Sequence, residues 1–388
     1  MKTLIELYDE SPIKNAMATL VFSPEECILI CPSYVSESKD LKSNLKNFLK
    51  HCGSKAKLTF IPVSMYDAVK TARVLKEVQD SHPDCAINIS GGSDAALFAA
   101  GAVAYSCSTP VFTYSIEKDK FFEINNASFA RGVSLDLKLD VESCLMMAGG
   151  TLLPGRADNS ELSARTDQID NLFAVYSKYR RIWNRQISYI QKISSSEAGN
   201  LDAAGVLTEH TGTGNITADQ KFFNALADVS LIQDLEITDE GLSFRFPDET
   251  VRFWLRDVGS VLELQLWRAC KASELFDDVV LSAIVNWQSG SIQSDSVTNE
   301  IDVMAVDGTR PVFISCKTCE VHTEALNELS VLRDRFGGKF SRAILATSGV
   351  TGRSRATMRN RAAKLGIELI EWEDMSLERL IARLKNKE

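Results

Sequence analysis

The residues best suited to chemistry lie in one stretch, residues 299–319, whose pattern predicts a β-hairpin. Apolar residues alternate along its first half, Asp307-Gly308 favours a two-residue turn, and an apolar return strand follows. Two charged residues, Asp302 and Lys317, stand at positions where buried strands normally carry none. They mark this hairpin as the first place to look for a reaction.

The chemistry that Asp302 and Lys317 could perform is metal-dependent phosphodiester hydrolysis. Buried charges are costly unless they are paired or bind a metal. A carboxylate on one strand would hold a divalent cation, and a lysine on the next would orient or deprotonate the attacking water or neutralise phosphate charge. A buried salt bridge in an ordinary hairpin explains the same two residues equally well, so both interpretations stay open at this point.

The N-terminal part of the chain predicts a parallel, Rossmann-like sheet built from βαβ units. Predicted helices at 38–51, 65–80 and 94–105 lie among short β-rich runs at 3–8, 27–31, 57–62, 85–90 and 110–114. Ligands of such sheets bind beyond the carboxyl ends of the strands. The loops that follow the first and fourth strands therefore become candidates for a ligand site.

These two loops carry residues suited to an anionic ligand: Glu10, Ser11, Pro12 and Asn15 in the first, and Gly91, Gly92, Ser93 and Asp94 in the second. Glycines let backbone N–H groups approach a ligand closely, and the helix N-terminus behind them favours an anion. Ser93 and Asp94 are equally suited to be plain helix caps. The pattern G-x-G-x-x-G and a Walker lysine are absent, which disfavours a dinucleotide enzyme or an NTPase.

The middle of the chain reads as connecting structure. We predict a hairpin over 121–139, a boundary at Gly149-Gly150, a helix over 167–193, a mobile Ser/Gly/Thr-rich linker over 194–218, a helix over 221–232 and a small hairpin over 235–246. The last two resemble a winged-helix unit, interpreted as a connector because its helix carries few basic residues. The basic and aromatic residues of 167–193 form either a binding surface or, as we favour, a solvated interdomain helix; they are Lys178, Tyr179, Arg180, Arg181, Trp183 and Arg185.

The C-terminal part predicts a helix over 251–271 that carries Glu263 among apolar neighbours, then the hairpin, then alternating helices and strands. These later elements are a helix over 323–336 with Glu324 and Glu328, a strand over 342–347, a helix-like run to 364, a strand over 367–372 and a helix over 377–384. The densest cluster of basic residues in the chain also lies in this part, and it indicates an anionic polymer as partner. Its members are Arg353, Arg355, Arg359, Arg361 and Lys364.

The order Glu263 on a helix, Asp302, then Lys317 resembles the PD-(D/E)xK restriction-endonuclease-like fold. The N-terminal sheet with its run CAINISGGSDAAL resembles a CARF domain, the cyclic-oligoadenylate sensor of type III CRISPR immunity. Together they resemble CRISPR ancillary nucleases that join these two folds. The expected class is α/β, with a Rossmann-like CARF sensor at 1–150, a linker helix and winged-helix-like connector at 151–248, and a nuclease-like domain at 249–388.

The resemblance implies roles for particular residues. Asp302, Lys317 and Glu263 would be catalytic, with Mn²⁺ or Mg²⁺ held by Asp302, Glu263 and the Cys316 carbonyl. The family pattern has an acid two residues before the lysine, where this chain has Ser315. We expect a compensated active site, because Mg²⁺-type sites keep several waters. The missing carboxylate would come from Glu263, Glu300, Glu324 or Glu328.

The implied function is a metal-dependent endonuclease that cyclic tetra-adenylate activates and that cuts RNA or single-stranded DNA in antiviral defence. The activator would lie across the two-fold axis of a homodimer, on Glu10, Ser11, Pro12, Asn15 and the loop 91–94. The alternative is a ligand-responsive protein that binds nucleic acid or regulates a partner without catalysis. Ser315 is the main support for that alternative.

Composition limits the remaining possibilities for the chain of 388 residues. Its net charge of −9 argues against wholesale coating by nucleic acid but allows a local basic groove. Nine scattered cysteines favour reduced thiols, and neither a membrane-spanning run nor a signal peptide is predicted. A single C-x-x-C at Cys316–Cys319 does not predict zinc. We therefore expect a cytoplasmic protein without membrane contact.

Overall fold

The computed structural model describes residues 1–116, 118–154, 159–211, 214–288, 296–338, 341–349 and 354–386. The helices are α1 Met17–Phe22, α2 Ser33–Glu37, α3 Lys39–His51, α4 Ala68–Ser81, α5 Asp94–Cys107, α6 Val141–Met147, α7 Asn159–Ser163, α8 Thr166–Ile193, α9 Gln220–Asp228, α10 Glu249–Arg256, α11 Ser260–Ser273, α12 Thr323–Phe336, α13 Ser354–Lys364 and α14 Leu377–Lys385. The strands are β1 Thr3–Leu7, β2 Glu26–Cys31, β3 Lys57–Pro62, β4 Cys85–Asn88, β5 Val111–Ser115, β6 Lys120–Asn125, β7 Thr151–Leu153, β8 Asp202–Gly205, β9 Thr208–Thr211, β10 Gly214–Thr217, β11 Gln233–Ile237, β12 Leu242–Arg245, β13 Asp278–Asn286, β14 Thr298–Asp307, β15 Arg310–Lys317, β16 Arg342–Thr347 and β17 Ile367–Glu371.

The N-terminal sheet confirms the predicted Rossmann-like arrangement. Its strand order is β3-β2-β1-β4-β5-β6, with the first five strands parallel and β6 antiparallel at the edge. Every residue of β1 is buried, as expected for a parallel strand covered by helices on both faces. Strand order reverses between β1 and β4, so the loops after these two strands meet at the topological switch point where such sheets bind ligands.

Of the predicted hairpin over 121–139, only one isolated antiparallel bridge forms, between Lys120 and Ser134. Strand β6 pairs mainly with β5, and residues 128–130 form a short 3₁₀ turn. The aromatic packing explains this pairing, because Phe121 lies edge-on to Phe112 of β5 with ring centroids 5.9 Å apart, and Phe22 packs against both rings. The segment therefore forms the edge strand of the N-terminal sheet and also contributes Phe121 to its buried core.

The connector follows the predicted order, with one correction. Helix α8 runs 28 residues, and Tyr179 within it has non-helical angles (φ −111°, ψ 17°). The predicted mobile linker over 194–218 is wrong, because β8, β9 and β10 lie within it. Strand β8 pairs with β12, some forty residues later, and β9 pairs with β10. The helix and small hairpin of the winged-helix-like unit are present as α9, β11 and β12.

The C-terminal sheet has the order β17-β16-β15-β14-β13-β7. Strands β15, β16 and β17 are parallel, while β7, β13, β14 and β15 are successively antiparallel. The single helix predicted over 251–271 is wrong, because the chain forms two helices, α10 and α11. Asp257 ends the first and caps the second: its Oδ2 accepts hydrogen bonds from Ser260 N (3.1 Å) and Ser260 Oγ (2.8 Å).

Two hydrophobic cores cover the two faces of the C-terminal sheet. The helix-side core contains residues of α8, α9, α11 and α14, such as Trp183, Phe222, Trp267 and Leu380. The interdomain core joins the other face to the sensor, since Phe112 belongs to it together with Phe313 and Phe336. The sensor and the C-terminal domain therefore share buried apolar residues. Among the described helices, none has the length and apolar character needed to cross a membrane.

Candidate active site and candidate ligand site

The predicted hairpin is confirmed as β14 and β15, with its turn one residue later than the predicted Asp307-Gly308, while its catalytic role stays a prediction. Asp307 pairs with Arg310, which leaves Gly308 and Thr309 as the turn, and Gly308 has the positive φ of +64° that such turns need. The ladder between the strands runs from this turn to the pair Val303–Ile314. The strand ends that carry Asp302 and Lys317 lie beyond that pair.

The Asp302 carboxylate occupies the gap where β14 and β15 separate. Its Oδ2 accepts hydrogen bonds from Cys316 N at 2.6 Å and Ser315 Oγ at 3.2 Å, and it lies 3.7 Å from Lys317 Nζ. The pair is not fully buried, because the side chains of Asp302 and Lys317 are 19% and 38% exposed. An ordinary buried salt bridge therefore does not describe this pair, which faces solvent as a site open to substrate must.

A backbone irregularity lies directly across the ladder from Asp302. Leu281 pairs with Val303 and Ala283 with Ile301, so Ser282 lies opposite Asp302. Ser282 is buried and has a φ of +50°, a left-handed conformation that side-chain-bearing residues rarely adopt. At this point both strands switch faces: Leu281 and Val303 belong to the helix-side core, whereas Ala283 and Ile301 belong to the interdomain core. Such local strain is typical of functional sites.

Glu263 joins Asp302 from the first turn of α11, as the family resemblance implies. The pKa of the Glu263 carboxyl is raised to about 8, first by burial and then by the nearby carboxylates Asp302, Asp257 and Glu300, while Lys317 opposes the shift. Its Oε1 lies close to Gly259, where an added Cβ would stand 2.8 Å away. The N-terminus of α11 therefore supplies a second carboxylate to the cluster around Asp302.

These residues fit a divalent cation of the Mg²⁺ or Mn²⁺ type. Carboxylate oxygens are the ligands that such ions prefer, and the ions retain several waters. Asp302, Asp257 and Glu300 lie close enough to Glu263 to add to the effect of burial on its pKa, so several acids surround this position. Within the described residues, no group of three or more His, Cys, Asp or Glu side chains is arranged as a metal site. Water and backbone oxygens would have to complete the coordination of an ion on Asp302 and Glu263.

The structure separates the candidates for the missing acid. Ser315 donates its hydroxyl to Asp302, so it supports that carboxylate. Asp302 raises the pKa of Glu263 and Lys317 lowers it, so Glu263 lies near both residues. Glu300 and Glu324 are exposed, and Glu328 accepts a hydrogen bond from Asn299 Nδ2 at 3.2 Å. Glu263 is therefore the best-placed replacement.

Cys316 contributes through its backbone. Its side chain is buried in the helix-side core, and burial, with Asp302 and Glu263 nearby, raises the pKa of the thiol well above its usual value. A thiol that stays protonated is not a metal ligand. Its N–H positions Asp302, and any direct contact with an ion would come from its carbonyl.

The first sensor loop is held by its own hydrogen bonds. Asn15 is buried, accepts a bond from Asp9 N at 2.8 Å and donates one to Asp9 O at 2.8 Å. Asp9 accepts from Ser11 N at 2.9 Å and forms an ion pair with Lys14 at 3.0 Å. Asn15 therefore shapes the loop from below, while Glu10 is exposed and Ser11 and Pro12 are half-buried at its surface.

The second sensor loop packs tightly against the end of β1. An added Cβ on Gly91 would lie 2.8 Å from both Asp9 Cβ and Leu7 O. Gly92 has a φ of +108°, and a Cβ added to it would lie 3.0 Å from Leu7 Cβ. The glycines are therefore required by contact with the neighbouring strand end as well as by any ligand. Ser93 caps α5 by accepting a bond from Ala96 N and donates its hydroxyl to Met65 O, while Asp94 is exposed at the first turn.

The predicted basic patch on α13 is largely an ion-pair network. Arg355 contacts Glu371 and Glu373, and Arg359 also pairs with Glu371. Arg361 donates to Asn327 Oδ1 at 3.1 Å. The expectation that this run presents its arginines to an anionic polymer is therefore wrong for Arg355 and Arg359, because strand β17 places acids beside them. Arg353 lies outside the described residues.

Sequence reasoning missed Asp257 and Ser282. Asp257 caps α11 and raises the pKa of Glu263, and its only local signal was an Asp-x-Gly-Ser run inside a predicted helix. Asp9 and Lys14 lie in the first predicted ligand loop, and the structure adds their ion pair. Nothing in the sequence marks the positive φ of Ser282.

Comparison with known proteins agrees with the two parts of this description. Residues 248–387 match the family described as the Card1-like endonuclease domain. The protein VC1899 from Vibrio cholerae shares the fold with a TM-score of 0.74 at 17% identity, over 98% of this chain and 96% of that chain. Can2 from Sulfobacillus thermosulfidooxidans, solved in complex with cyclic tetra-adenylate, matches with a TM-score of 0.70 at 15% identity, over 98% of each chain. The comparison with curated proteins found no match.

These findings confirm the predicted resemblance to CRISPR ancillary nucleases and the α/β class. The C-terminal domain is similar to an endonuclease family, and the whole chain has the fold of Can2, with a CARF-like sensor and an endonuclease-like domain. The domain boundaries predicted at 150 and 248 stay predictions, and β7, at 151–153, belongs to the C-terminal sheet.

Proposed function

We propose that this protein is a nuclease of CRISPR antiviral defence, activated by cyclic tetra-adenylate, that hydrolyses phosphodiester bonds of RNA or single-stranded DNA with Mn²⁺ or Mg²⁺. The observation that carries the proposal is the cluster of Asp302, Glu263 and Lys317 at the opened end of the hairpin. The match of residues 248–387 to an endonuclease domain supports the reaction, and the fold shared with Can2 supports the choice of activator.

The residues divide the reaction between them. Asp302 and Glu263 would hold the cation, which supplies Lewis-acid charge at the scissile phosphate when bound. Ser315 Oγ and Cys316 N fix the Asp302 carboxylate through Oδ2, and these bonds do not involve Oδ1. Lys317, 3.7 Å from Asp302, would orient the attacking water or neutralise charge on the phosphate.

The hairpin also offers a route from sensor to active site. Its turn reaches the sensor, where Arg310 Nη2 donates to Ile116 O at 3.5 Å and Gly308 O accepts from Leu139 N at 2.9 Å. Arg310 also borders a small cavity of about 30 Å³ whose lining includes Lys14 and Ser90, from the two loops proposed to bind the activator. We infer that activator binding moves this turn and thereby adjusts Asp302 and Lys317 at the opposite end of the same two strands.

A homodimer is proposed from the unusual surface of α5. This helix buries alanines and valine on one face, yet its opposite face exposes Phe98 (74%) and Tyr105 (92%) with Gly101 between them. A helix with apolar residues on every face is normally buried on every face by neighbouring protein. A second copy of the chain on this face would bring two switch-point edges together, so that a ring-shaped activator could contact equivalent loops of both copies.

A cleavage assay tests the proposed function. We expect Asp302→Ala and Lys317→Ala each to reduce cleavage of labelled RNA or DNA by about 100-fold or more, since a metal ligand or a proton-transfer group contributes at least that much. Both variants should keep the fold and the affinity for cyclic tetra-adenylate. Normal turnover in either variant would overturn the assignment. Activator binding without cleavage by the wild-type protein, with either metal, would favour the non-catalytic alternative.

A further inference from the structure

The bend in α8 borders an open, positively charged cleft. The cleft measures about 420 Å³ and is lined by Trp372 and by the consecutive residues Ser177, Lys178, Tyr179, Arg180, Arg181 and Ile182. Three of these lining residues are cations, and none is an acid, although the chain as a whole carries a charge of −9. The surface therefore attracts anions locally on a protein that repels them overall.

The cations and aromatic rings of this cleft are held in place by neighbouring elements. The Arg180 guanidinium lies 4.3 Å from the centre of the Trp372 ring, and its Nη1 donates to Ser348 O at 2.8 Å. Tyr179, the non-helical residue, donates its hydroxyl to Lys221 O at 2.9 Å. Lys178 and Arg181 are exposed on either side. Groups already fixed in this way lose less freedom when a ligand binds.

The cleft is connected to the candidate active site through one residue. Ser348, which accepts the bond from Arg180, donates its own N–H to Lys317 O at 3.1 Å, and its hydroxyl contacts Tyr176 of α8. Ser348 is buried, so these bonds tie α8 to the end of β15. Consecutive hydrogen bonds therefore join the cleft residue Arg180 to the backbone of Lys317.

We propose that this cleft binds the backbone and bases of a single-stranded polynucleotide on its way to the active site. Lys178 and Arg181 would contact phosphates, and the Arg180 guanidinium that lies over the Trp372 ring would receive an unstacked base. This proposal rests on the proposed nuclease function, for which it names the substrate-binding surface. RNA and DNA share the required chemistry.

A binding experiment with a charge-reversed cleft tests this assignment. Binding of labelled single-stranded RNA and DNA oligonucleotides is measured by fluorescence anisotropy on the full chain carrying Asp302→Asn, which prevents cleavage. We expect Lys178→Glu with Arg181→Glu to weaken binding about tenfold or more. The logarithm of the binding constant falls linearly with the logarithm of the salt concentration, and loss of two phosphate contacts should make this slope less steep by about 1.4.

The control is Lys192→Glu with Lys271→Glu, which reverses the same number of charges at exposed positions of α8 and α11 outside the cleft. This control should bind within about twofold of the parent. The comparison of the RNA and DNA arms identifies which polymer the cleft accepts. The cleft assignment would be overturned if the two double variants bound the oligonucleotides equally weakly. It would also be overturned if both variants bound them as tightly as the parent, or if the parent did not bind them.

Cleavage by the otherwise wild-type chain separates this proposal from the function on which it rests. With Mn²⁺ and cyclic tetra-adenylate, the Lys178→Glu/Arg181→Glu protein should show a raised KM and a kcat close to wild type. A parent that binds strands through the cleft but cleaves nothing would refute the nuclease and leave the binding surface standing. Unchanged KM in the double variant would refute the cleft while the nuclease stands.

Discussion

At the scale of single residues, the candidate active site departs from its family pattern at Ser315, and its surroundings show how the departure is accommodated. Ser315 donates to Asp302, and Glu263 brings a carboxylate from α11 whose pKa is raised to about 8 by burial and by neighbouring acids. A serine at this position keeps Asp302 oriented without adding a further negative charge beside the Glu263 carboxyl.

Glu263 should matter more than Ser315 to catalysis. Glu263→Gln removes a proposed metal ligand and should reduce kcat/KM by about 100-fold. Ser315→Ala removes one hydrogen bond of 3.2 Å and should cost about 2- to 10-fold, in line with about 0.5–1.5 kcal/mol for such a bond. Initial rates across a Mn²⁺ titration give both numbers. A severe defect in Ser315→Ala beside an active Glu263→Gln would reverse the assignment.

Glu6 should make the sensor lose stability as pH rises. Burial raises the pKa of this β1 carboxyl well above 4.5, although Asn88 donates a hydrogen bond to it. Because the folded pKa lies above the unfolded one, the contribution of Glu6 is present below about pH 4.5 and is lost progressively above it.

The substitution Glu6→Gln measures this effect. We expect the variant to gain unfolding free energy relative to wild type at about 1.4 kcal/mol per pH unit between the two pKa values. Denaturant unfolding from pH 5 to pH 9 follows the difference, with the exposed Glu77→Gln on α4 as control. A difference between wild type and Glu6→Gln that does not change with pH would contradict the expected titration.

At the scale of elements, the β14–β15 hairpin has two ends with different partners. Its turn contacts the sensor through Arg310 and Gly308, and its open end carries Asp302 and Lys317. Five consecutive residue pairs join β14 and β15 between the turn and the open end, so we expect a shift at the turn to be passed to the other end. The sensor glycines serve the same junction, because Gly91 and Gly92 keep the two switch-point loops in contact.

Arg310→Ala should uncouple the sensor from the active site. Coupling free energies are typically about 1–3 kcal/mol, so loss of this contact should reduce the stimulation of cleavage by cyclic tetra-adenylate about fivefold or more. Activator affinity, measured by isothermal titration, should change much less. Arg245→Ala, which removes an arginine paired with Asp202 in the connector, is the matched control. Full stimulation in the Arg310 variant would exclude the hairpin turn as the route.

Gly92 is a poor site for a test of ligand contact. Its φ of +108° and the proximity of Leu7 mean that any side chain there distorts the loop itself, so Gly92→Arg should destabilise the sensor as well as weaken activator binding. Asn15→Ala should act similarly, because it removes both bonds to the Asp9 backbone. Ser11→Ala, at the loop surface, is the substitution that addresses ligand contact directly.

At the scale of the whole molecule, one core is shared between sensor and nuclease-like domain, and one face of the sensor is left uncovered. The shared core makes the two domains of one copy a continuous body, since Phe112 and Phe313 belong to the same cluster. The exposed aromatic residues of α5 lie on the sensor, away from that core. Activation through a dimer would therefore begin at α5 and end at the hairpin.

Phe98→Glu with Tyr105→Glu should produce a monomer. Two charges on the exposed face of α5 would have to lose their hydration in a dimer, which is costly. Sedimentation velocity should give a dimeric wild type and a folded monomeric variant, and the variant should bind cyclic tetra-adenylate more weakly. Val331→Glu, a charge placed on an exposed apolar residue of α12, should stay dimeric. A monomeric wild type at micromolar concentration in the presence of activator would contradict the proposed dimer.

The sequence by itself determined many of the helices and strands and the principal charged pair. Thr323–Phe336 and Arg342–Thr347 begin and end where the pattern predicts, because helical and strand periodicity are local properties. Asp302 and Lys317 were identifiable because each interrupts an apolar strand. Glu263 was identifiable by its apolar neighbours, and the family resemblance gave it a role.

Only the tertiary structure decided which distant residues meet. The sequence of β8 predicts a linker, but in the structure β8 pairs with β12. The arginines of α13 predict a basic surface, but in the structure Glu371 lies beside them. The raised pKa of Glu263, the contact of Gly91 with Asp9 and the cleft beside Ser348 likewise join segments far apart in the chain. Periodicity reports which face of an element is apolar, but it carries no information on what packs against that face, and the chemistry of this protein depends on those contacts.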